Sequence, residues 1–266
     1  MNKKIGFIGC GNMGKAILAG ILASNEIAKE NILVSTKSEK SRKAIEEEFN
    51  IEATLDSNEV AKFSDILFLA IKPNIFKDVL INIRDNISKD TIIVSIAAGV
   101  TIDNLEEWLE DDYKIVRTMP NVAALVGESI SAICPNERIN EEELEEVCSI
   151  FNMFGKCETL EEKYFHGFIA LCGSSPAYVF MFIEAMADAA VKLGIARNKA
   201  YKMAEQAVLG SAKLALETAK HPGELKDMVC SPSGTTIEAV IELENAGFRS
   251  AIINALEKCA EKSKNM

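Results

Sequence analysis

The sequence predicts an α/β protein in which a doubly wound parallel sheet precedes an all-helical domain. Short apolar runs alternate with helical patterns up to about residue 160, whereas only long helical patterns follow. The charge changes at the same place: residues 1–162 carry 17 basic and 29 acidic side chains (a balance of −12), and residues 163–266 carry 12 and 11 (+1). We therefore predict two domains, residues 1–162 and residues 163–266.

The strands of the first domain are predicted from short runs rich in Ile, Leu and Val. These runs are residues 4–9, 32–34, 66–71, 91–96, 114–116 and 129–134. Helical patterns follow them, one opening at Met13 and the others near residues 39–49, 74–84, 102–110 and 140–152. Near-continuous apolar strands that alternate with helices are typical of a parallel sheet covered by helices on both faces.

The second domain is predicted to be helical throughout. Its helical patterns cover residues 177–193, 197–219, 236–246 and 248–263. The first pattern has a broad apolar face, made of Val179, Phe180, Phe182, Ile183, Met186 and Ala190. Such a face fits the core of a helical domain, and its width in so small a domain also fits subunit packing. We therefore expect a homo-oligomer.

Composition and charge exclude several classes of function. With 48% hydrophobic residues and a net charge of −11, the chain is globular and lacks the cationic surface of a general nucleic-acid binder. Seven scattered cysteines and only two histidines predict reduced, mostly buried thiols and no metal site. The uncharged residues 167–183 contain Gly173 to Pro176, which predicts a buried segment broken by a turn rather than a membrane span. We expect a cytoplasmic protein that binds neither nucleic acid nor membrane.

A glycine motif follows the first predicted strand and opens the first predicted helix: Gly9-Cys-Gly11-Asn-Met-Gly14. There the first glycine permits a tight turn, the second lets the backbone approach a pyrophosphate, and the third lets helix and strand pack closely. The phosphates would lie at the helix N-terminus, whose N–H groups and dipole favour negative charge. We predict a Rossmann-type dinucleotide site; the alternative is a glycine turn without a ligand. The predicted cofactor-binding residues of this loop are Ile8, Gly9, Gly11, Asn12, Met13 and Gly14.

The end of the second predicted strand distinguishes the two nicotinamide dinucleotides. A site for NAD places Asp or Glu there, whereas this chain has Ser35, Thr36 and Lys37. Hydroxyl groups and a cation suit the 2′-phosphate of NADP(H), which we predict as the preferred cofactor, with NAD(H) as the alternative. The same residues also suit the N-cap region of the next helix, and the two interpretations are compatible.

Two further strand ends are predicted to line the cofactor crevice, because ligands of open α/β sheets lie beyond the carboxyl ends of the strands. They are Ala70-Ile71-Lys72-Pro73 and Ala97-Ala98-Gly99. Their small residues allow a flat ring to lie against the backbone. Lys72 either offers its charge to a phosphate or ribose or is a solvated surface lysine.

Two turns of the second domain combine hydroxyl groups with a helix start. They are residues 231–236 (Ser-Pro-Ser-Gly-Thr-Thr) and residues 173–178 (Gly-Ser-Ser-Pro-Ala-Tyr). Free N–H groups and hydroxyls of this kind bind a carboxylate, although an ordinary N-cap gives the same pattern. No His–Asp pair or metal cluster accompanies them, so the hydride acceptor must need little help from an acid. A cyclic imine fits, because its protonated form is already electrophilic.

Several motifs carry a family resemblance: Arg117-Thr-Met-Pro-Asn121, Ser174-Ser-Pro-Ala-Tyr-Val-Phe, Ala187-Asp-Ala-Ala-Val-Lys-Leu-Gly194, His221-Pro-Gly-Glu-Leu-Lys-Asp227, Ser231 to Thr236 and Gly247-Phe-Arg249. They resemble the Δ1-pyrroline-5-carboxylate reductase family, and the resemblance covers essentially the whole chain. It implies reduction of 1-pyrroline-5-carboxylate to L-proline with NAD(P)H, the last step of proline biosynthesis. It also implies homodimers with interlocked helical domains, which assemble further into decamers.

The same resemblance assigns roles at the substrate end. It implies that Ser231 and the backbone of Gly234 and Thr235 bind the substrate carboxylate, in a site to which Ser174 also belongs. Thr236 would hydrogen-bond the ring nitrogen and is the nearest equivalent of a catalytic side chain.

At the cofactor end, Thr36 and Asn58 match positions that contact the adenosine, and residues 70–73 and 97–99 match the nicotinamide-side loops. The chain departs from the usual motifs in a few places. Ser175 and Ser233 stand where glycines are usual, and Cys172, Asn74 and Val122-Ala123 replace serine, glutamine and Thr-Pro. The two serines add side chains beside the predicted substrate site.

Two alternative functions stay open on the sequence alone. Another NADP-dependent small-acid dehydrogenase of the same two-domain build would need a general base, for which Lys192 is the candidate, without an evident partner. A non-catalytic NADP(H)-sensing protein would keep the glycine motif but would not need the organised turn at residues 231–236.

Overall fold

The computed structural model describes residues 2–110 and 112–265. The chain divides into two compact units, Met1–Gly173 with Ser263–Met266, and Ser174–Lys262. We call them the first and the second unit. The domain boundary that charge and periodicity place between residues 162 and 163 remains a prediction.

The first unit is built on an eight-stranded sheet with the order β3-β2-β1-β4-β5-β6-β7-β8. Its strands are β1 (Ile5–Ile8), β2 (Ile32–Ser35), β3 (Glu52–Thr54), β4 (Ile66–Leu69), β5 (Ile92–Ser95), β6 (Lys114–Met119), β7 (Ser129–Pro135) and β8 (Gly155–Thr159). Strands β1 to β6 are parallel to one another, β7 is antiparallel to β6, and β8 is parallel to β7. The predicted α/β class with a largely parallel sheet is confirmed, and the reversal at β7 is an addition to it.

Helices cover both faces of this sheet. They are α1 (Asn12–Ser24), α2 (Glu39–Phe49), α3 (Ser57–Phe63), α4 (Phe76–Ile83), α5 (Ile102–Leu109), α6 (Glu141–Asn152) and α7 (Phe165–Phe168). On one face Phe7 and Phe68 stack with ring centroids 4.8 Å apart and pack with α1 and α6. On the other face, Leu67 packs with residues of α4 and α5. Every residue of β1, β2, β4 and β5 is buried, which explains why these strands read as unbroken apolar runs.

The sequence predicted six strands, and the two that it missed, β3 and β8, form the two edges of the sheet. An edge strand pairs on one side only, and these two carry charged residues such as Glu52 and Lys156. Neither strand has the apolar run that identified the others.

The second unit is helical, as predicted. Its helices are α8 (Ser175–Lys192), α9 (Arg197–Thr218), α10 (Pro222–Val229), α11 (Thr235–Asn245) and α12 (Phe248–Lys264), of which α10 was not predicted. Helices α8 and α9 pack along each other through small buried residues, Ala187, Ala200 and Ala204. The Phe182 and Phe248 rings meet at 6.3 Å.

Two predictions about burial are wrong. The helical stretch Glu162–Lys192 is long and apolar enough to cross a membrane by length and composition, but only 11% of its most apolar window is buried within the single chain. Its apolar side chains, such as Phe180 and Met181, lie on faces of α8 that the second unit leaves exposed. All seven cysteines lie in the described ranges and are free, but only Cys134 is buried and the others are half-buried.

Candidate active site

The predicted cofactor residues of the first unit meet at one edge of the sheet. Because β1, β2, β4 and β5 are parallel neighbours, their carboxyl ends lie side by side. Backbone hydrogen bonds continue past the strand ends: Gly9 N donates to the Ser35 carbonyl at 2.9 Å, and Ala70 N donates to the Ile8 carbonyl at 2.9 Å. The glycine loop is therefore held between the ends of β2 and β4.

The glycine motif has the tight geometry that it predicts. Gly9 has a φ of +77°, and a Cβ there would lie 2.8 Å from the Ala70 carbonyl oxygen. A Cβ on Gly14 would have Ala70 Cβ at 3.1 Å, so the small side chain at residue 70 lets helix α1 approach β4. By contrast, the space around Gly11 is open, with no atom within 4 Å of a Cβ built there.

The first turn of α1 suits an anion. Its N-cap is Gly11, which makes no side-chain capping bond, and the fully described first turn has no acidic residue. The N–H groups at this helix start therefore keep their capacity to bind phosphate oxygens, in the open space before Gly11. Burial raises the pKa of the neighbouring Cys10 thiol to about 12, so its sulfur stays uncharged and does not repel a phosphate. These residues fit the pyrophosphate of a dinucleotide.

The three residues predicted to meet a 2′-phosphate differ in exposure. Ser35 is 1% exposed, and its hydroxyl lies 3.1 Å from that of Ser57 at the start of α3. Thr36 is also buried and donates to the Ser38 carbonyl at 3.2 Å, whereas Lys37 is exposed. Ser38, and not one of the three, provides the side-chain cap of α2. Lys37 is thus the residue of this strand end whose charged group faces solvent.

The remaining predicted cofactor residues lie at neighbouring strand ends. Asn58, in the first turn of α3, accepts a hydrogen bond from Asn86 Nδ2 at 2.7 Å. Lys72 and Pro73 are exposed after β4 and Ile71 is half-buried. After β5, Ala97 is buried, whereas Ala98 and Gly99 are exposed. Gly99 has a φ of +80° and open space around it, which leaves room for a ring against the backbone.

The end of β6 joins the same edge and was quoted in the sequence only as part of a family motif. Asn121, two residues after this strand ends, is 8% exposed, and its amide donates to the Cys172 carbonyl at 3.1 Å. Within β6, the buried Arg117 donates to Glu162 at 2.7 Å, and the same Glu162 oxygen accepts the N–H of Ile102 at 2.8 Å. This ion pair connects β6 to the first residue of α5, close behind Ala97 to Gly99. Sequence alone offered no signal for either contact.

The predicted substrate turn of the second unit has a glycine cap of its own. Helix α11 begins at Thr235, and its N-cap, Gly234, makes no side-chain capping bond among the described residues. Gly234 N donates to the Ser231 carbonyl at 3.0 Å, and a Cβ on Gly234 would lie 2.4 Å from Ser231 Oγ. Thr236 lies half-buried in the first turn of the helix. Ser233 adopts a φ of +57°, a left-handed conformation that favours glycine.

Ser174, the other predicted substrate residue, directly precedes α8. Its hydroxyl accepts a hydrogen bond from the Cys259 thiol at 3.2 Å. Burial and the neighbouring Cys259 raise the pKa of the Tyr178 hydroxyl, which therefore stays protonated at neutral pH. Lys192, the candidate base of the alternative dehydrogenase, is exposed in the last turn of α8. Across residues 2–110 and 112–265, no group of three or more His, Cys, Asp and Glu side chains is placed to hold a metal ion.

Comparison with known proteins identifies the family. Residues 162–266 match the family model for pyrroline-5-carboxylate reductase dimerisation, and residues 4–99 match that for NADP oxidoreductase, coenzyme F420-dependent. The pyrroline-5-carboxylate reductase of Escherichia coli (strain K12) is 53% identical over 266 residues, which are 100% of this chain and 99% of that protein. The chain belongs to the pyrroline-5-carboxylate reductase family.

Solved pyrroline-5-carboxylate reductases share the whole fold. The enzyme from Coxiella burnetii has a TM-score of 0.94 at 33% identity, covering 100% of this chain and 98% of that one. The Plasmodium falciparum pyrroline carboxylate reductase, solved with NADP bound, has a TM-score of 0.87 at 35% identity, covering 99% and 98%. Solved members of the family therefore contain both units of this chain, and one of them was solved with NADP bound.

Proposed function

We propose that this member of the pyrroline-5-carboxylate reductase family reduces the C=N bond of 1-pyrroline-5-carboxylate to L-proline with NADPH. One observation in the structure carries the proposal. The same chain contains a glycine-capped helix start that fits a pyrophosphate, at α1, and a second one lined by hydroxyls that fits a carboxylate, at α11. A reductase that joins a dinucleotide to a small acid requires both.

The proposed reduction requires few side-chain groups beyond those that bind and orient the substrate. NADPH supplies the hydride when it is bound. The turn at residues 231–236 would hold the substrate carboxylate on N–H groups and the Ser231 hydroxyl, which orients the ring. The Thr236 hydroxyl can accept from an iminium N–H or donate to a neutral imine nitrogen, so it serves either protonation state. When the iminium ion is the substrate, its nitrogen already carries the proton, so hydride addition to the ring carbon gives the neutral amine and no side chain has to deliver a proton.

We base the proposed preference of the enzyme for NADP(H) over NAD(H) on the residues at the end of β2. No acidic residue at Ser35 to Lys37 repels a 2′-phosphate, and the exposed Lys37 supplies a cation. We expect Lys37→Ala to raise the KM for NADPH about fivefold while leaving the KM for NADH within about twofold, because only the former carries the phosphate. Equal effects on both cofactors in steady-state assays would exclude Lys37 from this role.

The proposal includes a homodimer that assembles further into decamers. Its support is the match of residues 162–266 to the dimerisation model and the exposed apolar side chains of the second unit, among them Phe180, Met181 and Leu216. A single chain that left these side chains in water would expose an unusually large apolar surface. We also propose a cytoplasmic location without a membrane or nucleic-acid partner.

The deciding experiment follows NADPH absorbance after pyrroline-5-carboxylate is added to the purified protein. Turnover is expected with wild type, and Thr236→Ala should lower kcat/KM at least about tenfold, since it removes the hydrogen bond to the reacting nitrogen. The matched control is Thr218→Ala at the end of α9, whose exposed hydroxyl donates to the Leu214 carbonyl and accepts the N–H of Lys220. No turnover by folded wild type that binds NADPH would refute the proposed activity, and an unchanged rate in Thr236→Ala would refute the role of Thr236.

A further inference from the structure

The loop that follows β5 is tied at both of its ends to one residue of β6. Residues 96–101 connect Ser95, the last residue of β5, to Ile102, the first residue of α5. In the sheet, Ser95 is paired with Arg117 of β6. Ile102 is joined to the same arginine through Glu162, whose Oε1 accepts the Ile102 N–H at 2.8 Å and the Arg117 Nη1–H at 2.7 Å. One strand residue therefore relates the beginning of the loop to its end.

Glu162 fixes the place of the start of α5, which the helix cannot do by itself. The N–H groups of the first helical turn have no partner within the helix. The capping box of α5 serves one of them, because Thr101 Oγ1 accepts the N–H of Asn104 at 3.1 Å and Asn104 Oδ1 accepts the N–H of Thr101 at 3.3 Å. Both of these residues belong to the helix start, so the box fixes its conformation but not its location. The bond from Ile102 to Glu162 spans 60 residues of sequence and ties the helix start to the rest of the unit.

Glu162 is itself held firmly. It begins the short 3₁₀ turn Glu162–Tyr164, which leads directly into α7 at Phe165. The Arg117 side chain is 4% exposed, and its guanidinium lies over the Phe165 ring at 4.6 Å. A buried arginine cannot turn to water, so its charge keeps the Glu162 carboxylate at this point.

The position of residues 96–101 along the sheet edge indicates which half of a dinucleotide they meet. The strand order here is β2-β1-β4-β5. The proposed pyrophosphate site lies at the start of α1, which follows β1, and the proposed 2′-phosphate site lies at the end of β2. The nicotinamide half therefore extends the other way, towards the ends of β4 and β5. There Gly99 has a φ of +80° and open space around it, with room for a ring.

We propose that Glu162 is a positioning residue that holds the loop of residues 96–101 in place for the nicotinamide half of the cofactor, a role that rests on the proposed function. Glu162 does not touch the cofactor. It fixes the end of the loop, and Arg117 relates that end to the strand beside which the loop begins. Without the carboxylate the start of α5 is free to shift, and the nicotinamide is held less precisely. Because hydride transfer depends on the geometry of the reacting atoms, this loss lowers kcat.

The test is Glu162→Ala, which removes the acceptor of the Ile102 N–H. Affinities are measured for NADPH and for adenosine 2′,5′-bisphosphate, which has the adenine and the 2′-phosphate but no nicotinamide. We expect the Kd for NADPH to rise about fivefold or more and kcat per NADPH-binding site to fall about tenfold or more. The Kd for adenosine 2′,5′-bisphosphate should stay within about twofold of wild type, because its site lies on the β2 side of the sheet edge. General loosening of the unit would weaken both ligands alike.

The matched control is Glu143→Ala, which removes a similar carboxylate at the first residue of β6. Glu143 accepts from a β6 cation, Lys114, at 2.6 Å and from a backbone N–H at a helix start, that of Asn140, at 3.1 Å. Its side chain is 16% exposed, so it is less exposed than that of Glu162. We expect Glu143→Ala to leave kcat and both Kd values within about twofold of wild type.

An unchanged kcat in Glu162→Ala would overturn the proposal, and so would an equal loss of affinity for the two ligands. The same selective loss in Glu143→Ala would overturn it as well. If Glu162→Ala does not fold, Arg117→Met/Glu162→Ala, which leaves no buried charge, is measured with the same criteria. A wild-type protein that binds NADPH without turnover refutes the proposed function, and the two affinities then decide on Glu162 alone. Active wild type with unaffected Glu162 variants refutes only the positioning role.

Discussion

The ion pair of Arg117 and Glu162 leads to an asymmetric prediction, because its partners are buried to different extents. The Arg117 side chain is 4% exposed and that of Glu162 is 29% exposed, with 2.7 Å between Nη1 and Oε1. Glu162→Gln leaves a guanidinium charge in the interior without its counter-charge, which costs about 3 kcal/mol of the free energy of unfolding. Arg117→Met leaves a carboxylate that water reaches and that keeps the Ile102 N–H. It also removes the buried Nε of Arg117, which has no hydrogen-bond partner among the described residues.

We therefore expect Arg117→Met to cost about 1.5 kcal/mol, including the lost contact of the guanidinium with the Phe165 ring at 4.6 Å. The double variant Arg117→Met/Glu162→Gln leaves no stranded charge and should cost less than the sum of the single changes. The single tryptophan, Trp108 on α5, reports unfolding of the first unit in urea by its fluorescence.

The measurements are made at one protein concentration and repeated at a second, since oligomerisation contributes to apparent stability. An Arg117→Met variant as costly as Glu162→Gln would contradict this prediction. Simple addition of the two single effects in the double variant would contradict it as well.

Three further predictions follow from backbone geometry and burial. Ser233 and Ala219 have φ values of +57° and +52°, a left-handed conformation that favours glycine. Ser233→Gly and Ala219→Gly should therefore each raise the free energy of unfolding by about 0.5–1 kcal/mol, as measured by urea melts. A loss of stability in both variants would contradict the assigned conformations. Gly11→Ser adds a side-chain cap to α1 in a position with open space around it, so the variant should keep its stability. Because the cap occupies N–H groups that would bind phosphate, the affinity for NADPH in fluorescence titrations should fall about tenfold or more. An unaltered affinity would show that the cofactor does not use this helix start. Burial raises the pKa of Cys10 to about 12, so the reactive thiolate remains a minor species up to pH 10. The rate of its alkylation by iodoacetamide, measured by mass spectrometry, should therefore rise about tenfold per pH unit from pH 7 to 10. A rate that levels off near pH 9 would refute this effect of burial on the pKa.

The fold was predictable where burial on both faces of the sheet leaves a strong pattern. β1, β2, β4 and β5 are such strands, whereas the edge strand β3 alternates and has a charged residue at Glu52. The reversal of β7 was missed although a signal existed. Only residues 120–128 separate β6 from β7, and a parallel pair needs a crossover of about a dozen residues or more. An apolar run does not indicate the direction of its strand, so the length of the connecting loop was the observation that could have predicted the antiparallel pairing.

In the candidate site, too, some residues could be predicted from the sequence and others could not. Residues at strand ends, such as Ala70 and Gly99, were placed by a rule of parallel sheets that needs no knowledge of side-chain contacts. The hydrogen bond from the Asn121 amide to the Cys172 carbonyl joins positions 51 residues apart. Similarly, the hydroxyl of Ser35 is paired with Ser57, which the sequence pattern at β2 does not reveal. Long-range polar pairing of this kind depends on the finished tertiary structure.

The helix starts of the chain would let a protein of net charge −11 attract the two proposed anionic ligands. Four helices of the first unit have side-chain caps, namely Ser38 on α2, Asp56 on α3, Thr101 on α5 and Asn140 on α6. Helices α1 and α11 have Gly11 and Gly234 at this position and no side-chain capping bond among the described residues. A glycine cap costs only a few tenths of a kcal/mol relative to serine or asparagine, and it leaves the N–H groups free. Attraction by free N–H groups and a helix dipole acts within the first turn, so acidic side chains elsewhere on the surface do not cancel it. Helices α4, α7, α8 and α9 also lack a side-chain capping bond in the described part of the chain, but their N-caps are not glycines. The proposed ligands would bind at the glycine-capped starts of α1 and α11.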